Sequence, residues 1–302
     1  MQPTASEHAA LVALLRVSGL SWPKVAAKLV ELGSASAVWA DLDDGALVPD
    51  PERDQALETA ARDVEAWQQH DWRVLSILDA DYPTRLREIH QAPPLLFAAG
   101  RTIPDDVGIA VVGSRKASSQ GLKMATAIAG ALVERRITVV SGLAHGIDGA
   151  AHRQALAAGG RTVAFLGTGI TQTYPPEHAD LQSRIARDGL VLSQFWPDAP
   201  PRPEQFIMRN ASMSGYSRAT VVVEAGERSG ARAQARMAVE HGRPVILTDR
   251  VVEANDWATR LTDRPGVTVA SSLDDVMRQV EDAVAQEETI DTLLSELAHT
   301  GL

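Results

Sequence analysis

"VGIAVVGSRKASSQGLKMATAIAGALVERRITVVSGLAHGID", residues 107–148, is the run whose reading decides the fold. Apolar residues 109–112 are cut off by Gly113, Ser114 and Arg115; Met124, Ile128 and Leu132 then recur at helical spacing, and a second apolar run fills 137–140. Short apolar runs bounded by small polar turns read as buried strands and the i, i+4 recurrence as a helix, giving strand, turn, helix, strand. The second strand also ends in a small-residue turn, Ser141-Gly142-Leu143-Ala144-His145-Gly146, just ahead of another helical stretch. Two neighbouring parallel strands therefore open onto one sheet edge, where glycines let backbone amides come close and helix N-termini favour anions.

Downstream the alternation continues: helix 150–158, strand 162–166, a Gly-Thr-Gly turn, helix 177–187, strand 190–193 and a Pro-rich loop at 197–203. Helix 205–213, strand 220–223, helix 231–241, strand 245–247, a short strand near 267–269 and a helix from Leu273 complete the series. Such alternation predicts an α/β fold, an extended Rossmann-like parallel sheet of six or seven strands with helices on both faces. Upstream, residues 71–100 read as a connector adding one or two strands, 74–78 and 95–98, with a brief helix after Tyr82-Pro83.

Residues 1–78 form the first expected domain, small and all-helical, with Leu11, Leu14, Leu15, Val25, Leu29 and Leu32 on its apolar faces and Trp39 and Trp67 filling its core. The segment 17–39 has the outline of a helix-hairpin-helix, but Trp22 stands where that motif wants its second glycine, which favours an accessory module over a phosphate grip. The main domain is expected over 79–285. The tail 286–302 reads as one amphipathic helix, without a winged-helix domain, that packs on the body or on a second subunit.

Composition narrows the class. No cysteine is present, so disulfides and thiolate chemistry are excluded. A basic n-region and any run of 18 apolar residues are both missing, so the expectation is a cytoplasmic protein with no membrane partner. The net charge of −10 argues against nucleic-acid binding by bulk attraction. A nucleic-acid claim must rest on a few placed arginines within a cleft.

Four segments carry candidate chemistry. "GSRKASSQG" offers Gly113, Ser114, Arg115 and Ser118 at a helix start, a phosphate-cradle composition that is neither GxGxxG nor GxxxxGK[ST]. "SGLAHGIDGAAH" supplies Ser141, Gly142 and Gly146 in a second turn, with Asp148 just inside the next helix, where the dipole favours a carboxylate. His145 and His152 lack a third ligand at metal spacing, so no metal is assigned, and no cofactor either. "QFIMRNASMSGYS" sets Phe206 and Arg209 one turn apart with Asn210 adjacent, a pairing that suits base stacking plus a phosphate contact as well as a half-buried Phe beside a surface Arg. "VVVEAGERSGARAQA" ends a strand in Glu224 and reaches Ser229-Gly230 at a helix start; Glu224 suits a general base or a brace for turn amides equally.

Together, GSR at 113–115, SGLAxGIDxAAH at 141–152, YPPEH at 174–178, FxxRN at 206–210 and VVEAxxxSG at 222–230 resemble the DNA-processing protein A (DprA/Smf) family, over roughly residues 78–250. The resemblance implies an extended Rossmann-like fold, single-stranded DNA as ligand, a homodimer, and help in loading RecA recombinase during natural transformation or DNA recombination. It carries a DNA-contacting arginine onto Arg115, and the motif Phe, Arg and Asn onto Phe206, Arg209 and Asn210. Departures mark a divergent member. F-P-x-R-N-R-x-I-A-G-L-S reads FIMRNASMSGYS, with Ile207 for proline and Ala211 for the second arginine; S-G-S-L-x-T-A reads SGARAQA; and the later P-G-x-x-x-x-G-x-N loop has become TDRVVEANDW.

The function expected is a non-catalytic single-stranded-DNA-binding accessory protein. The alternative is a nucleotide-derived signal in the same crevice, or a phosphoribohydrolase-like reaction with Glu224 or Asp148 as the acid, although the P-G-G-x-G-T signature of such enzymes is missing. The third is a protein-binding scaffold with a decayed crevice, against which the intact glycine turns speak.

Overall fold

A computed structural model describes residues 5–17, 19–42 and 51–300. Four helices lead: α1 (Ala5–Val17), α2 (Trp22–Leu32), α3 (Ala35–Asp41) and α4 (Pro51–Trp67). Then follow β1 (Trp72–Ser76), α5 (Thr84–Arg87) and β2 (Leu95–Gly100). The alternating body comprises β3 (Gly108–Gly113), α6 (Ser119–Glu134), β4 (Thr138–Ser141), α7 (Ile147–Ala157), β5 (Thr162–Phe165), α8 (Ala179–Asp188), β6 (Leu190–Ser193) and α9 (Pro203–Tyr216). It continues through β7 (Ala219–Glu224), α10 (Gly230–Glu240), β8 (Val245–Thr248), α11 (Asp249–Ala254), α12 (Asp256–Leu261), β9 (Val267–Ala270) and α13 (Leu273–Thr300).

Among the described residues nine strands make one sheet, ordered β1-β2-β6-β5-β4-β3-β7-β8-β9. The run from β6 to β9 is parallel, which is the expected parallel sheet, while β2 pairs antiparallel with both β6 and β1. Alternation along each strand serves two cores. Ile109 and Val111 of β3 pack with Val221, Ile246 and residues of α6, α7 and α13, whereas Ala110 and Val112 belong with Met213, Tyr216 and the α10 face. From β3 the chain moves to one side through β4, β5 and β6, then returns beside β3 as β7. That reversal opens a crevice at the carboxyl ends of β3 and β7, where open α/β sheets take their ligands.

The amino edge of the sheet is tied by a buried carboxylate. Asp106 accepts from Thr138 Oγ1 (2.6 Å), Arg161 Nε (2.8 Å) and Tyr216 Oη (2.7 Å), joining the starts of β3, β4 and β5 to the end of α9.

One expectation changes. Trp67 does not close a separate helical core: its ring packs edge-on against Phe97 of β2 (5.2 Å) and beside Trp72 and Trp196, so the aromatic bulk joins the helices to the antiparallel edge of the sheet. Trp39 takes the Arg53 guanidinium over its ring at 4.6 Å. The helix from Leu273 runs on through the expected tail as one α13, and β1 precedes residue 78. In the hairpin outline, Ser18 lies outside the described residues, as do 301–302 of the tail; Trp22 begins α2 and packs edge-on against Trp196 at 5.8 Å. No helix among the described residues is long and apolar enough to cross a membrane.

Candidate functional site

The crevice holds about 540 Å³ between the β3–α6 turn, the first turns of α9 and the start of α10. Its first wall is built by β3 breaking register with β7 after Val112, which brings Gly113 opposite Glu224. Ser114 N then donates to Glu224 O (2.6 Å) and Lys116 N to Ser114 Oγ (3.1 Å), which leaves Arg115 exposed at the lip.

Ser118 caps α6, its Oγ accepting from Gly121 N at 3.0 Å. The same residue donates N–H (2.8 Å) and Oγ–H to the Glu224 carboxylate. Glu224 is thus a brace between β7 and the α6 turn, the second of the two roles its position suits.

The SGLAHGID turn forms the second wall. Gly146 caps α7 at φ 73°, and a Cβ there would lie 2.2 Å from Ser114 O, so a glycine is needed on both conformational and steric grounds. Ile147 N donates to that same Ser114 O (3.3 Å), locking the two turns together. Asp148 is buried and accepts from Gly142 N (3.2 Å) and Ala144 N (3.3 Å), and burial raises its carboxyl above the ordinary range. Ser141 donates to Val111 O (2.7 Å) and is fully buried, so it ties β4 to β3 and does not face the crevice.

Arg209 is the largest surprise. Its spacing from Phe206 suits a surface cation, yet only 5% of the residue is exposed. The guanidinium lies against Gly142, where a Cβ would sit 1.2 Å from Nη1, and donates to Phe165 O at 3.3 Å. Burial pushes its pKa down to about 10, the Asp148 charge opposing that shift and Arg115 adding to it, so Arg209 remains a cation at neutral pH beneath the crevice. Asn210 is turned inward too, its Nδ2 donating to Gly230 O (3.3 Å) and pinning the start of α10, where Ser229 is the cap.

Phe206 stays half-buried at the rim. Arg115 lies over its ring, Cζ 5.2 Å from the centroid, and Tyr174 packs beside it at 5.4 Å. This pair divides the crevice from a second hollow of about 230 Å³ lined by Gly142, His145, Tyr174 and Glu177.

The two histidines separate. α7 begins after His145, which is exposed and 3.6 Å from Glu177, whereas His152 is fully buried. Thr162 Oγ1 donates to Val139 O (2.7 Å), so His152 Nδ1 is the donor to that hydroxyl (2.7 Å). Burial lowers the His152 pKa to about 3. No group of three metal-ligating side chains occurs among the described residues.

Residues 73–281 match the model of the family described as DNA recombination-mediator protein A. The chain belongs to that family. It is 40% identical over 191 residues to protein Smf of Synechocystis sp., covering 61% of this chain and 47% of that protein, so the chain spans about half the length of that relative. The X-ray structure of DNA processing protein A from Streptococcus pneumoniae superposes with a TM-score of 0.70 at 32% identity, over 92% of this chain and 98% of that one. A structure describing the single-stranded DNA binding mode of the Helicobacter pylori protein superposes at 0.60 with 21% identity, over 74% and 96%.

Within the family frame, the departures acquire positions. Ile207, where the pattern has proline, is 52% exposed beside the crevice. Ala211, in place of the second arginine, is buried at 4%. TDRVVEANDW, in place of the glycine loop, folds into the short helices α11 and α12. Sequence reasoning gave no role to Lys116, Tyr174, Arg228 and Gln234 around the crevice. The signal for Tyr174 was its YPPEH motif, and for Gln234 its place one turn after Gly230.

Proposed function

We propose that this crevice binds single-stranded DNA and that the protein serves DNA processing and recombination as a non-catalytic accessory. The observation that supports this best is the Arg115–Phe206 pair at the rim: a guanidinium held over an aromatic ring supplies a phosphate contact beside a stacking surface. Lys116 and Arg228 add exposed cations, the capped starts of α6 and α10 add amide dipoles, and Arg209 contributes positive potential from beneath. Family membership and the DNA-binding relative support the same reading; a homodimer and contact with RecA recombinase are proposed with it on the motif resemblance alone.

Bound this way at the rim, a strand is held by phosphate charge and stacking, contacts that carry little sequence preference and a steep salt dependence, about 0.7 in log K per log salt for each phosphate neutralised. Catalysis has no dedicated acid in this reading, because Glu224 and Asp148 both hold turn amides. The test is anisotropy of a labelled oligo-dT at two salt concentrations with matched duplex as competitor. Salt-sensitive binding that prefers the single strand supports the proposal, and no binding at low salt refutes it.

A further inference from the structure

Gln234 lies at the floor of the crevice, one helical turn into α10, and is 1% exposed. Neither its Oε1 nor its Nε2 has a hydrogen-bond partner. A carboxamide has two donors and an acceptor with two lone pairs, and buried polar side chains are satisfied in the large majority of cases. Desolvating both ends of an amide inside a helix costs stability that nothing within this chain returns. Alanine or the threonine of the S-G-S-L-x-T-A pattern would avoid that cost, so the amide points to a partner from outside.

The surroundings state the chemistry of that partner. Met213 and Ala231 give the floor apolar walls, while Arg115, Arg209 and Arg228 supply the positive charge. About 540 Å³ lies within the range of small-ligand sites. A flat apolar ring bearing a donor beside an acceptor, with an anionic group attached, matches every part of this lining. Adenine meets it best, because Gln pairs bidentately with its N6 donor and N7 acceptor.

We propose that the crevice seats an adenine base on the Gln234 carboxamide while its phosphate meets the cations at the lip. This rests on the single-stranded-DNA reading for the source of the base and adds to it a base-reading subsite. A strand threading the rim would then be held preferentially where an adenine drops to the floor.

The experiment compares oligo-dA, oligo-dT and an abasic strand of equal length, on the wild type and Gln234→Met, with Gln234→Leu as second variant and thermal unfolding to confirm that each is folded. The wild type binds oligo-dA about tenfold tighter than oligo-dT, with the abasic strand reporting the stacking contribution alone, and Gln234→Met brings oligo-dA and oligo-dT together. Equal binding of oligo-dA and oligo-dT by the wild type, or an undiminished ratio in both variants, overturns the subsite while the single-strand reading stands. Should the wild type bind no strand, that reading fails and adenosine monophosphate decides: Gln234-dependent binding supports the adenine site with a free nucleotide as its source, and no binding overturns it.

Discussion

Acidification from pH 7 to pH 5 is expected to destabilise the protein, with His152 as one definable source. Its ring is fully buried and its Nδ1 proton is committed to Thr162, so a second proton would place a charge out of reach of solvent. Burial first, then the neighbouring His178, Arg209 and Arg153, bring its pKa from 6.5 to about 3. Between those values the unfolded chain binds a proton that the folded chain refuses. The contribution is therefore fully present above pH 6.5 and is lost as pH falls through the window. At 1.36 kcal/mol per unit, moving from pH 7 to 5 removes about 2 kcal/mol. For a protein of this size that lowers Tm by about 4 °C. His241, lowered to about 4 mainly by burial, adds a loss of the same sign. Asp148, raised by burial, acts oppositely: its contribution is present at low pH and lost as pH rises through its elevated pKa. Only the difference between variants therefore isolates one group. Urea unfolding at pH 5 and 7 on wild type and His152→Leu should show the pH difference shrinking by about 2 kcal/mol in the variant. An unchanged pH difference in His152→Leu would refute the buried neutral imidazole.

Two further substitutions separate fold from binding. Asp106→Ala strips the shared acceptor from Thr138, Arg161 and Tyr216, costing about 3–5 kcal/mol in denaturant unfolding while leaving strand binding in the folded fraction, since Asp106 lies at the opposite edge of the sheet; a loss under about 1 kcal/mol would contradict the hub. Gly142→Ala places a Cβ 1.2 Å from Arg209 Nη1 and must expel the guanidinium from its slot, so oligo-dT affinity and Tm should fall together, whereas unchanged values of both would show that Arg209 has no fixed seat there.

The βα alternation was legible because parallel strands covered on both faces read as unbroken apolar runs, as 109–112 does, and because each run ends in a small-residue turn. The crevice walls followed from the same turns. What spacing could not convey was depth. Phe206 and Arg209 sit one turn apart, but which of them faces the solvent depends on Gly142 and Phe165 O, contacts far off in sequence. Trp67 was misplaced for the same reason, its partners Phe97 and Trp196 belonging to the sheet side. Residues 248–257 read only as a lost glycine loop, since two helices as short as α11 and α12 leave little periodicity to detect. Gln234 passed unnoticed because a lone Gln in a helix is ordinary until its burial and its lack of partners are seen.

The central claim, that Arg115 on Phe206 is the outward phosphate contact, is tested most directly by the salt slope of oligo-dT binding for the wild type and Arg115→Ala. We expect the variant to bind more weakly and its slope of log K on log salt to be shallower by about 0.7, the share of one phosphate on a single strand. An identical slope and affinity in Arg115→Ala would contradict the account and move the search for the ligand away from this rim.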